Sequence, residues 1–113
     1  MSEISLDELG ARLDELVVLD VRTRAEYAGT RGYPCDPRQG HIPGARHLAV
    51  DDLEGMTTDG IRELVGEPEG AEIVCYCHSG GRSGRAAEVL RAAGYAARNY
   101  RGSWHEWSRL APG

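Results

Sequence analysis

The sequence predicts an α/β fold: a mainly parallel central sheet of about five short strands, with helices on both faces. Three observations predict it. Short β-branched runs alternate with segments of helical periodicity along the chain. The runs Leu16-Val17-Val18-Leu19-Asp20-Val21 and Ile73-Val74-Cys75-Tyr76 are almost continuously apolar, as strands buried on both faces are. Cys77-His78-Ser79-Gly80-Gly81-Arg82-Ser83 then joins the second run to a helical pattern through a tight glycine loop.

Each element has a local reason. Glu3-Ile4 is a candidate first strand. Ser5 and Glu8 form a capping-box pattern, and Leu6, Leu9 and Leu13 mark one face, which predicts a helix over 6–14. Leu16–Val21 is the second strand. Arg22–Ala28 is rich in helix formers, and Gly29–Gly40 is a loop by composition. Gly40–Ala45 is a turn, and Arg46–Val50 a short strand. Asp51–Gly66 holds one or two weak helices, with Asp51 and Thr58 as candidate caps. Glu72–Tyr76 is the strand that delivers the loop. Ser83–Ala93 is a helix ended by Gly94, Ala97–Tyr100 a last strand, and Ser103–Leu110 a terminal turn or helix carrying Trp104 and Trp107.

The 113 residues are one domain in size, so 1–113 is expected to be a single domain. A net charge of −5 gives no general electrostatic support for a nucleic-acid role. All 13 basic residues are Arg, which excludes lysine chemistry such as Schiff bases. There is no signal-peptide pattern and no apolar run long enough to span a bilayer. Three cysteines do not suggest a disulfide framework. No membrane association is expected, and a reducing cytoplasm is the expected setting.

The chemistry concentrates at the loop. Parallel sheets bind ligands beyond the carboxyl ends of their strands, where Asp20-Val21-Arg22 and Cys77 both fall. A loop entering a helix N-terminus turns amides inward and favours an anion, including Cys77 as thiolate. Gly80 and Gly81 suit a backbone that needs positive φ, and Arg82 adds positive charge. Cys75 lacks such a sequel and reads as a buried small hydrophobe. Cys75, Cys77 and His78 would need further metal ligands. Cys35 and His41 stand in no recognised spacing, so no metal is expected.

Taken together, these segments resemble the single-domain rhodanese family of sulfurtransferases. Leu19-Asp20-Val21-Arg22 with Glu26-Tyr27 is similar to the family's Asp-x-Arg…Glu-Tyr segment. Gly40-His41-Ile42-Pro43-Gly44-Ala45 matches its Gly-His-Ile-Pro-Gly-Ala element. Cys77 to Ser83 matches the Cys-x-x-Gly-x-Arg-Ser active loop. Gly102 to Trp107 resembles the terminal Gly-Gly-x-x-x-Trp element, with Ser103 replacing the second glycine.

The resemblance implies a rhodanese-like fold and a two-step transfer of sulfane sulfur. Cys77 would take sulfur from thiosulfate or a persulfide and pass it to cyanide or a thiol, with His78, Ser79, Gly80, Gly81, Arg82 and Ser83 lining the cradle. No metal or organic cofactor is implied. A protein sulfur-relay partner is compatible with it. Asp20, Arg22 and Glu26 are expected to support the loop through ion pairs, and His41, Pro43 and the two Trp to be architectural. The uncharged His78 and Ser79 favour a thiol-bound donor over thiosulfate. Two alternatives remain: a non-catalytic binding module of the same fold, and a cysteine-dependent phosphatase or arsenate reductase. The latter is disfavoured because its loop is one residue longer. The chain departs from the family pattern at Ala28–Gln39, an insertion that is either a tolerated surface loop or a border of the active crevice. Its Cys35 is a candidate second thiol that would resolve the Cys77 persulfide as a disulfide.

Overall fold

The computed structural model describes residues 3–111. In chain order its elements are α1 (Leu6–Ala11), β1 (Val17–Asp20), α2 (Arg24–Ala28), β2 (Arg46–His47), α3 (Val50–Glu54), α4 (Thr58–Val65), β3 (Glu72–Tyr76), α5 (Gly81–Ala92), β4 (Ala96–Asn99) and α6 (Ser103–Leu110). The sheet runs β2-β1-β3-β4, and every pairing is parallel. In register, Leu19 lies opposite Cys75 and Cys75 opposite Asn99.

Period-two alternation splits the apolar runs into two cores. Leu19, Ile73 and Cys75 face one side, where they pack with Leu53, Ile61, Ala86 and Leu90 of α3, α4 and α5. Val18, Val74 and Tyr76 face the other, with Leu9 of α1 and Trp104 and Trp107 of α6. Cys77 shares the side of Ile73 and Cys75. Its thiol is therefore delivered toward the helix that follows it in sequence.

The sheet has four strands rather than the five expected. Glu3 makes only an isolated parallel bridge to Asn99. Ser5 caps α1 immediately afterwards by accepting the Glu8 amide, which leaves the strand no length. β2 stops at His47, although Leu48 and Val50 still donate backbone hydrogen bonds to Asp20 and Val21 before α3 begins.

Other boundaries also shift. α2 starts at Arg24, because Thr23 and Glu26 form a capping box, a signal the residue types already carried. α3 follows Ala49 without a side-chain cap, and Thr57 rather than Thr58 caps α4. α5 begins at Gly81, so Arg82 and Ser83 belong to its first turn. Gly94 has φ +102° beyond its end. The Gly29–Gly40 loop, Glu72–Tyr76 and Ser103–Leu110 lie where the residue pattern puts them. Among the described residues no helix is long and apolar enough to cross a membrane.

Candidate active site

Cys77 follows β3 directly, beneath the N-terminus of α5, and is only 1% exposed. The Gly80 amide donates to its Sγ at 3.1 Å, and the Ser83 hydroxyl lies 3.4 Å away. Burial pushes the thiol up. The Ser83 hydroxyl and the amides of Ser83, Gly80 and Ser79 outweigh it and hold Cys77 below its ordinary value. Cys75, two residues earlier, has burial without such donors and is pushed up to about 12. β3 and the residue that follows it thus carry two thiols shifted in opposite directions, Cys75 up and Cys77 down. All three cysteines are free.

The loop backbone is fixed from outside. Ser103 accepts the Cys77 amide at 3.0 Å and donates to the Tyr100 carbonyl at 2.8 Å. The Cys77 and His78 carbonyls accept the Trp104 and His105 amides, each at 2.9 Å. Gly80 has φ +100°, and a Cβ there would lie 2.8 Å from the Arg101 carbonyl oxygen. Glycine is required at that position on both counts. Gly81 has no positive φ and faces open space, so the conformational reason expected for both glycines holds for Gly80 alone.

Arg82 does not reach into the cradle as an unpaired cation. Its two terminal nitrogens donate to the Glu26 carboxylate at 2.9 and 3.2 Å. Burial pushes Glu26 up, but hydrogen bonds from Arg82 and Thr23 prevail and bring it to about 2. The expected ion pair near the loop is this one. Asp20 and Arg22 form a second pair beneath the site, both essentially fully buried. Arg22 donates to both Asp20 oxygens and to the Gly40 carbonyl. Tyr76 donates to Asp20 and accepts the Ile42 amide. His41 stacks on Tyr27 at 3.9 Å, with its Nδ1 at 2.9 Å from the Tyr27 carbonyl. The Tyr76 bond ties the Gly40–Ala45 segment to the sheet, and the His41 stack ties it to α2.

The Ala28–Gln39 insertion folds onto the loop. Tyr33 stacks on the His78 ring with centroids 3.7 Å apart. Asp36 is buried beside His78, and Arg109 of α6 donates to it at 2.8 Å. Arg38 donates to the carbonyls of Trp107, Ser108 and Ala111 at the carboxyl end of α6, where a cation complements the helix dipole. Trp104 Nε1 returns a bond to the Arg38 carbonyl. A pocket of about 270 Å³ lies between the insertion and the loop, lined by Glu26, Arg31, Tyr33, Pro34 and Arg82 among others. Burial holds His78 below its ordinary value, so the ring is neutral near pH 7. Tyr33, Asp36 and Asn99, which bonds the Gly80 carbonyl, carry no motif that marks them in the sequence. Only the fold brings them to the loop.

Comparison with known proteins agrees with this geometry. A family model described as the rhodanese-like domain matches residues 5–110. The chain is similar to the human protein named thiosulfate:glutathione sulfurtransferase, with 32% identity over 92% of this chain and 90% of that one. It is 31% identical to a thiosulfate sulfurtransferase of Pseudomonas aeruginosa over 82% of its length, but spans only 37% of that relative. A crystal structure titled as a probable thiosulfate sulfurtransferase superposes with a TM-score of 0.88 at 39% identity, over 99% of this chain and 46% of that one. The chain belongs to the rhodanese-like domain family.

Proposed function

We propose that this protein is a sulfurtransferase that carries sulfane sulfur as a persulfide on Cys77. The observation that carries the reading is a buried thiol at a helix N-terminus whose Sγ accepts the Gly80 amide, a setting that lowers its pKa and favours the thiolate. The thiolate attacks the outer sulfur of the donor, and that sulfur's bond to the rest of the donor breaks. Sulfite leaves from thiosulfate, or a thiolate from a persulfide, taking the bonding electron pair. Cys77 then bears a terminal sulfur whose negative charge the loop amides stabilise. Attack on that sulfur by cyanide yields thiocyanate, attack by a thiolate yields a new persulfide, and either restores the Cys77 thiolate. A reducing compartment such as the cytoplasm keeps the thiol available between cycles.

The mouth supports a thiol-bound donor over the thiosulfate dianion. His78 is neutral, Arg82 is compensated by Glu26, and the pocket wall includes Tyr33 and Pro34. The same pairing disfavours a phosphatase, which needs its loop arginine for the phosphate oxygens. Mass spectrometry after exposure to thiosulfate or a low-molecular-weight persulfide tests the proposal. Wild-type protein is expected to gain one sulfur, with faster loading from the persulfide, and Cys77→Ser to gain none. An unloaded wild type, or a loaded Cys77→Ser protein, would overturn the assignment.

A further inference from the structure

The insertion and the active loop together leave an unspent set of donor atoms. Cys35 Sγ, Asp36 carboxylate and His78 Nε2 lie within 4.8 Å of one another. Asp36 Oδ2 and His78 Nε2 are 3.1 Å apart, yet neither makes a hydrogen bond, although both atoms are buried. Buried polar atoms without partners are costly. The two atoms nevertheless lie side by side, with the Cys35 thiol within 4.8 Å of the pair. Arg109 occupies only the other Asp36 oxygen, at 2.8 Å. It orients the carboxylate and leaves Oδ2 available, as second-sphere partners of metal ligands do.

From this convergence we infer a binding site for a borderline divalent cation, Zn²⁺ being the best match, on Cys35, Asp36 and His78. A thiolate, a carboxylate and an imidazole are the donor types Zn²⁺ takes. Bonds of about 2.0–2.3 Å in a tetrahedron hold ligand atoms roughly 3.3–3.8 Å apart. His78 Nε2 is 3.1 Å from Asp36 Oδ2, and Cys35 Sγ completes the set within 4.8 Å. Closing the three atoms onto an ion takes a movement of up to about 1 Å, within reach of a rotation of the exposed Cys35 side chain. The fourth position is left to water. Cys35 is exposed, so its thiol can lose its proton to solvent as the metal enters. The bound ion bridges the insertion to the residue after Cys77, fastening Tyr33 and Asp36 over the loop. Sulfur transfer is then slowed by metal and restored by a chelator. The site itself does not depend on the sulfurtransferase reading.

Cobalt(II) substituted for zinc tests it without reference to activity. In full-length Cys77→Ser protein, Cys35 is the exposed thiol and Cys75 the buried one, so a thiolate-to-cobalt charge-transfer band reports Cys35. One equivalent of Co²⁺ is expected to produce that band, and Zn²⁺ to displace it. The double variant Cys35→Ser/Cys77→Ser is expected to show no band while keeping its circular dichroism. Asp36→Asn, which preserves shape and one acceptor toward Arg109, is expected to weaken Zn²⁺ at least about tenfold. The inference is overturned by absence of the band in Cys77→Ser, by its persistence in the double variant, or by unchanged affinity in Asp36→Asn.

Discussion

Ser103 holds a left-handed backbone, φ +56°, where a side chain costs about 1–2 kcal/mol. Its hydroxyl offsets that cost by bonding the Cys77 amide and the Tyr100 carbonyl. Ser103→Ala keeps the strain and leaves the buried Cys77 N–H unpaired. It is expected to lose about 1–3 kcal/mol in urea unfolding. Ser103→Gly also strands the N–H but releases the strain, and is expected to lie about 1 kcal/mol above the alanine variant. Equal stabilities would show that the strain is not there. Serine in place of the expected glycine is visible in the sequence, but the sign of φ and the amide it serves are not. Both depend on where β3 ends relative to α6. Gly80 and Gly81 give the same lesson, since adjacent identical residues differ in φ because the first turns the chain into α5 and the second is already its first helical residue.

At the scale of elements, Glu26 couples α2 to α5. Its carboxylate closes the capping box of α2 and holds Arg82 in the first turn of α5. The folded-state pKa of about 2 lies below the ordinary 4.5. The corresponding stabilisation, on the order of 3 kcal/mol, is complete above about pH 4.5 and fades as pH falls toward 2. Glu26→Gln is expected to be less stable than wild type by that amount at pH 7. The gap should close in denaturation curves taken at progressively lower pH, and a constant gap would place the loss elsewhere. Helix positions were legible from periodicity and capping residues. Their starts were not always so: Arg22 fits a helix by propensity, yet Asp20 and the Gly40 carbonyl claim its side chain. Propensity does not register that competition.

Across the whole molecule, the buried Asp20–Arg22 pair joins β1, β3 and the Gly40–Ala45 segment into one network. Arg22 is also sandwiched at 5.6 Å from the Tyr76 ring and 5.3 Å from the Trp104 ring. Removing one charge strands the other in the core. Asp20→Ala is expected to cost roughly 3–5 kcal/mol. Adding Arg22→Met to it should recover much of the loss, because the uncompensated charge goes with it. Additive losses in that double-mutant cycle, read from thermal unfolding, would refute a coupled pair. The two residues stand two apart, and a supporting role through ion pairs was expected of both, though not their pairing with each other. That Tyr76 and Ile42 complete the network was not, because those contacts cross the sheet.

The sequence alone determined the α/β class, the mainly parallel sheet implied by its alternation, and the loop in which Cys77 meets a helix N-terminus. Those properties follow from periodicity, glycine placement and short-range spacing, all local in the chain. Tertiary structure decided the rest. It reduced the first strand to a bridge at Glu3, paired Arg82 with Glu26, and laid Tyr33, Cys35 and Asp36 over His78. The insertion has no periodicity of its own, and its position is set by Arg38 and Arg109 bonding across α6. Such contacts join residues about seventy positions apart, and no local pattern of residue types encodes where a loop will find its partners.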